Sequence, residues 1–86
     1  MIEKTVLIQN RTGIHARPAA QFVKLAGKFQ SAISIANDEE KVNAKSIMKV
    51  LGLGASRGTT VVLTFEGEDE QQAAEEIVNF LSHLTE

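Results

Sequence analysis

The sequence runs to 86 residues, enough chain for one modest core, and 43% hydrophobic with 23% charged residues excludes intrinsic disorder. It has no cysteine, which removes disulfide frameworks and thiolate metal sites, and no run of the roughly 20 apolar residues needed to span a membrane. The net charge is −2 with the signs interspersed, and there are four Phe but no Tyr or Trp, so the basic stripe and stacking aromatics of a nucleic-acid binder are missing.

A single domain over residues 1–86 is expected, and MIEKTVLIQN lacks the apolar run of a signal peptide, which points to the cytoplasm. Residues 2 to 9 alternate, with Ile2, Lys4, Val6 and Ile8 on one face and Glu3, Thr5, Leu7 and Gln9 on the other, the pattern of a half-buried strand. Turn residues Asn10 to Gly13 lead into Ala19, Phe22, Val23, Ala26 and Phe29, whose spacing predicts an amphipathic helix over 16–27 ended by Gly27.

Ile33 and Ile35, the turn-prone Asn37-Asp38 and a short partner around Val42 predict a hairpin. Ser46 precedes a short helix, Ile47 to Leu53, which the chain leaves through Gly52, Gly54 and Gly58. Thr60 to Glu66 alternate cleanly, with Val61, Leu63 and Phe65 inward. Gly67 closes that strand, and Asp69 with Gln72 reads as a capping box before a helix with the stripe Ala73, Ala74, Ile77, Val78, Leu81 and Leu84. The order is βαββαβα, an α+β open-faced two-layer sandwich whose sheet is covered by helices on one face.

Chemistry concentrates at Thr12-Gly13-Ile14-His15-Ala16-Arg17-Pro18. Proline is tolerated in a first helical turn, so Pro18 sets the helix start near residue 16 and leaves His15 at or beside the N-cap. There the open N–H groups and the helix dipole favour a neutral imidazole as nucleophile and, afterwards, a phosphoryl group bound to it. Arg17 brings a guanidinium suited to phosphate oxygens, and Gly13 permits a turn that a side chain would oppose. The other histidine, His83, falls in the last turn of the C-terminal helix and reads as a solvated helix end.

No catalytic triad, multi-ligand metal site or phosphate-binding glycine loop can be assembled, so no metal and no cofactor is expected. A lone reactive histidine without a substrate pocket is what a carrier needs. Ser46 reads as an N-cap, and a phosphate there would meet a helix N-terminus, so it is a candidate regulatory phosphosite. With Val50, Leu51 and Leu53 offered to the core, Ile47 and Met48 cannot all point inward as well, which predicts an apolar docking patch rimmed by Lys45, Lys49 and Arg57. The candidate partner-binding residues are Ala16, Ala20, Ile47, Met48, Lys49 and Leu51.

GIHARPAAQFV, AKSIMKVLGLGASRG and GEDEQQA together resemble the HPr phosphocarriers of the bacterial phosphoenolpyruvate-dependent sugar phosphotransferase system, over nearly the whole chain. The resemblance implies that enzyme I phosphorylates His15 on Nδ1, that Arg17 is the phosphate partner, and that enzyme IIA proteins receive the group for sugar uptake. It also implies a four-stranded antiparallel sheet in the order 1-4-2-3 with three helices.

Lys45-Ser46-Ile47-Met48 looks like the Gram-positive type, in which a kinase/phosphorylase modifies the matching serine and a catabolite-repression regulator binds the helix. Lys49 stands where that type usually has glycine, and Phe22-Val23-Lys24 with GEDEQQA looks like the enteric type. Histidine at position 15 sets the chain apart from the glutamine-bearing regulatory paralogue. The nitrogen-related paralogue and a purely regulatory interaction module stay open as alternatives. A relay that must show His15 to successive proteins is expected to work as a monomer.

Overall fold

The computed structural model describes residues 1–84, which form β1 (Ile2–Leu7), α1 (Ala16–Ala26), β2 (Ala32–Ala36), β3 (Lys41–Asn43), α2 (Ile47–Leu53), β4 (Thr60–Glu66) and α3 (Glu70–Ser82). The four strands make one antiparallel sheet in the order β1-β4-β2-β3, as expected. Alternation decides which face is buried: Val61, Leu63 and Phe65 of β4 pair with Val6, Lys4 and Ile2 of β1, and Ile33 and Ile35 of β2 continue the same face. Phe22 of α1 and Ile77 of α3 close over them, and all but Lys4 and the half-buried Ile2 are nearly or fully buried. Each such side chain contributes about 1.5–3 kcal/mol through apolar burial.

The opposite sheet face carries Thr5, Val62, Thr64 and Ser34, with a hydroxyl contact between Ser34 and Thr64. No described helix is long and apolar enough to cross a membrane.

Local differences from expectation have local causes. β1 stops at Leu7 rather than Gln9 because Ile8 turns to the loop ahead of β4, donating to the Thr59 carbonyl at 2.9 Å and accepting from Gly58 at 2.7 Å. α1 ends at Ala26, and Gly27 caps it in a right-handed conformation (φ −66°), so its freedom to turn left is not used. Gly54, at φ +68°, is the glycine that ends its helix, α2, by that freedom.

The capping box expected of Asp69 and Gln72 does not form. Asp69 is the N-cap of α3, but its carboxylate turns away from its own helix to accept from the Gln30 amide at 2.8 Å and from the Ser31 amide at 2.9 Å, and it also holds the Ser31 hydroxyl. Gln72 reaches Glu76 instead, at 3.0 Å. Glu70 accepts from the Gly67 amide at 3.0 Å, which ties the first residue of α3 to the turn ahead of it. These bonds hold both carboxyls below their ordinary values, Asp69 chiefly through Ser31 and Gln30, and Glu70 through Gly67 and the Met1 ammonium 3.2 Å away.

Candidate functional site

The segment leading to His15 is built as a brace. The Gly13 amide donates to the Asn10 carbonyl at 3.2 Å, and the Asn10 carboxamide Nδ2 donates back to the Gly13 carbonyl at 2.9 Å, closing a tight turn. Gly13 sits at φ +67°, where a Cβ would come within 2.5 Å of the Ala55 carbonyl oxygen, so both the turn and the close approach require glycine. One residue on, Ile14 is buried and its amide donates to the same Ala55 carbonyl at 2.8 Å. The turn is therefore clamped to the backbone that follows α2.

From this clamp the chain emerges at His15, exposed and extended (φ −119°, ψ −159°), as the N-cap of α1. Its carbonyl accepts the first helical bond, from Ala19 at 2.7 Å, while its imidazole makes no capping bond. The amides of a first helical turn have no intrahelical acceptor, and no acidic side chain in that turn offsets the positive end of the helix dipole. Arg17 is exposed in the same turn, and Pro18, buried and without an N–H, fits a position where no intrahelical bond is required. An exposed ring beside open amides and a guanidinium suits an exchangeable phosphoryl group.

The second candidate lies at the far end of α2. Ser46 is its N-cap, half-buried, with its hydroxyl accepting from the Lys49 amide at 3.4 Å, a long bond. Met48 is 77% exposed, Leu51 39% and Ile47 36%, whereas Val50 and Leu53 are buried. Of the two places the sequence offered Leu51, core and partner-binding patch, its exposure fits the second: at i+3 from Met48 and i+4 from Ile47 it extends their patch. Ala16 and Ala20, one turn apart on α1, are exposed as well, and α1 packs against α2.

The expected basic rim is smaller than three residues. Lys45 folds back to donate to the Phe29 carbonyl at 2.7 Å, which leaves Lys49 and Arg57 as exposed cations. His83 is exposed at the end of α3, its Nδ1 2.7 Å from the Asn79 carbonyl, the helix-end role read from the sequence.

The two buried polar residues among those described, Ser31 and Asn10, each enter a feature that escaped the sequence reading. One is the bridge from Asp69 to Ser31, 38 positions apart, which no local pattern signals. The other is Asn10, seen only as a turn residue. It is 8% exposed, and its Oδ1 is buried with no hydrogen-bond partner among the described residues. Such an unmet acceptor costs about 1–3 kcal/mol.

Residues 2–83 match the family model described as "PTS HPr component phosphorylation site". The chain belongs to the HPr family. Within it, the HPr-like protein Crh of Halalkalibacterium halodurans is 48% identical over 81 residues, 94% of this chain and 96% of that protein. The phosphocarrier protein HPr of Buchnera aphidicola is 45% identical over 84 residues, covering 98% and 99% of the two chains. Among solved structures, HPr-C-His from Thermoanaerobacter tengcongensis superposes with a TM-score of 0.92 at 50% identity, over 95% of this chain and 92% of that one. The expected family, sheet order and helix count are thus those of HPr phosphocarriers.

The expectation of a monomer is overturned by these same relatives. An HPr from T. tengcongensis has been solved as a dimer (TM-score 0.76, 50% identity, 95% and 94% coverage), and Bacillus subtilis Crh as a swapped dimer (TM-score 0.77, 42% identity, 100% and 99% coverage). The flaw in the expectation is physical: presenting His15 constrains one patch, while an HPr sheet still has two open strand edges, here β1 and β3, with backbone groups able to pair elsewhere.

Proposed function

We propose that this chain carries a phosphoryl group on His15, accepting it from phospho-enzyme I and passing it to enzyme IIA proteins for sugar uptake in the cytoplasm. The observation that carries the reading is the uncapped imidazole of His15, exposed on the N-cap of α1 with Arg17 in the first turn. A ring nitrogen attacks phosphorus in line, the N–P bond forms as the bond to the donor breaks, and the departing donor keeps the electron pair. The first-turn amides and the Arg17 guanidinium then hold the phosphoryl oxygens, and the reverse sequence hands the group on.

The patch of Ile47, Met48 and Leu51, with Lys49 beside it and Ala16 and Ala20 on α1, is the surface that both donor and acceptor would grip. Ser46 is the regulatory position: a phosphate there lies at the positive end of α2, a place that leaves the helix intact and adds charge to the docking surface.

A second reading has one observation in its favour, the 48% identity to an HPr-like protein Crh. In it the chain is an interaction module controlled through Ser46, and His15 takes no phosphate. Incubation with enzyme I and labelled phosphoenolpyruvate separates the two. Acid-labile label that vanishes in His15→Ala supports the carrier, and an unlabelled wild-type protein sinks it.

A further inference from the structure

We propose that Asn10 is a positioning residue for the phosphoryl-accepting histidine, acting through its side-chain N–H groups; this rests on the reading of His15 as the acceptor. Only two polar residues among those described are buried, Asn10 and Ser31, and Ser31 belongs to the distant Asp69 bridge. Asn10 stands five residues before His15. Its Nδ2 donates to the Gly13 carbonyl while its own carbonyl accepts from the Gly13 amide, so the turn is closed twice by one residue.

That double closure holds Gly13 against Ala55 and Ser56, and it delivers the Ile14 amide to the Ala55 carbonyl. The last dihedrals before His15 are therefore set by the Asn10 turn on one side and by the segment after α2 on the other.

The unmet Oδ1 supports a role other than stability. A side chain kept for packing at a buried site would be apolar and of similar volume, such as leucine, and one kept for hydrogen bonding would use both ends of the amide. Asn10 uses the donor end and leaves the acceptor end empty. The donor is the part that matters: it fixes where the Gly13 carbonyl points, and so the direction from which the backbone enters the N-cap. In-line transfer between two protein side chains is sensitive to misplacement of the nucleophile by about 1 Å, which can slow it on the order of 100-fold.

The test compares Asn10→Asp, which keeps the shape and loses the donor, with Asn10→Leu, which keeps the volume and loses both ends, and Asn10→Ser, which offers a hydroxyl donor. Labelling by enzyme I and phosphoenolpyruvate is timed for each, with the rate expressed per folded molecule from circular dichroism. The Asp and Leu variants are expected to label at least tenfold more slowly than wild type, with Ser between them. Amide shifts in a ¹H–¹⁵N correlation spectrum should be confined to residues 10–16 and 54–57.

The Leu variant should melt close to wild type, since removing the empty acceptor offsets the lost bond. It therefore carries the comparison if a carboxylate at position 10 prevents folding. Wild-type labelling rates per folded molecule in both the Asp and Leu variants would overturn the proposal while leaving the carrier reading standing. Failure of the wild-type protein itself to take label would instead remove the carrier reading on which it rests.

Discussion

A residue whose backbone and surroundings both insist on one side chain gives the sharpest predictions, and Gly13 is such a residue. Gly13→Ala forces a left-handed alanine and drives its Cβ to within 2.5 Å of the Ala55 oxygen. Strain of about 1–2 kcal/mol at the dihedral adds to displacement of the 54–56 segment, so urea unfolding should show a loss of at least about 2 kcal/mol. Arg17 should behave oppositely, because it is exposed. Arg17→Ala should keep the wild-type melting temperature and slow phosphoryl transfer, and unchanged transfer kinetics would refute its role.

Asp69 gives the prediction in pH. Its carboxyl lies below the ordinary value of 3.8 in the folded chain, because the Ser31 hydroxyl and the Gln30 and Ser31 amides bond the charged form. A lowered folded value means that the bridge stabilises fully above the unfolded value and is lost as pH falls through the folded one. In Asp69→Asn that acid-dependent part is missing, so melting curves of variant and wild type should differ at neutral pH and converge as pH drops below 3.8. A constant gap across the titration would count against the bridge.

At the scale of the element, α2 divides its seven residues between two duties: Val50 and Leu53 anchor it, and Ile47, Met48 and Leu51 face outward. Met48→Asp should therefore weaken docking to enzyme I, read as a raised KM in the labelling reaction, with melting unchanged. If it unfolds the protein instead, that face is core. The cap at Ser46 is long at 3.4 Å, so Ser46→Ala should cost about 0.5–1 kcal/mol, the low end for an N-cap.

Elements were legible in the sequence wherever periodicity was strong. β4 and α2 fall on the residues expected, and Pro18 placed the start of α1 at Ala16. What escaped was pairing across long separations. Asp69 resembled an ordinary cap because its true partners, Gln30 and Ser31, come near only once the strands are assembled. Leu51 was counted both among the core residues of its helix and among the partner-binding ones, because hydrophobicity does not distinguish an anchoring face from an outward one. His15 stood out as the candidate acceptor because glycine, arginine and proline flank it at informative spacings, whereas the role proposed for Asn10 rests on a backbone contact with Ala55 that no short motif encodes.

For the whole molecule, the sheet order puts β4 and β2 in the middle and leaves β1 and β3 at the edges. β4 is bonded on both sides along most of its length and carries the buried Val61, Leu63 and Phe65, while β3 has three residues and one neighbour. Amide hydrogen exchange should follow this order. Protection at Leu63 and Phe65 is expected to report global unfolding, and Lys41 to Asn43 should exchange first. Comparable protection in β3 and β4 would contradict a core organised about the central strand.

The hairpin joining β2 to β3 has a tip that is not spare surface. Asn37 gathers the tip by accepting from the amides of Glu39 and Glu40, both at 2.9 Å, and its Nδ2 reaches across to the Leu53 carbonyl at 3.1 Å, at the end of α2. An epitope or fluorescent label grafted between residues 37 and 40 would look harmless on grounds of exposure alone. It would uncouple the tip from Leu53 and loosen the helix that partners are proposed to grip, so a reporter belongs elsewhere.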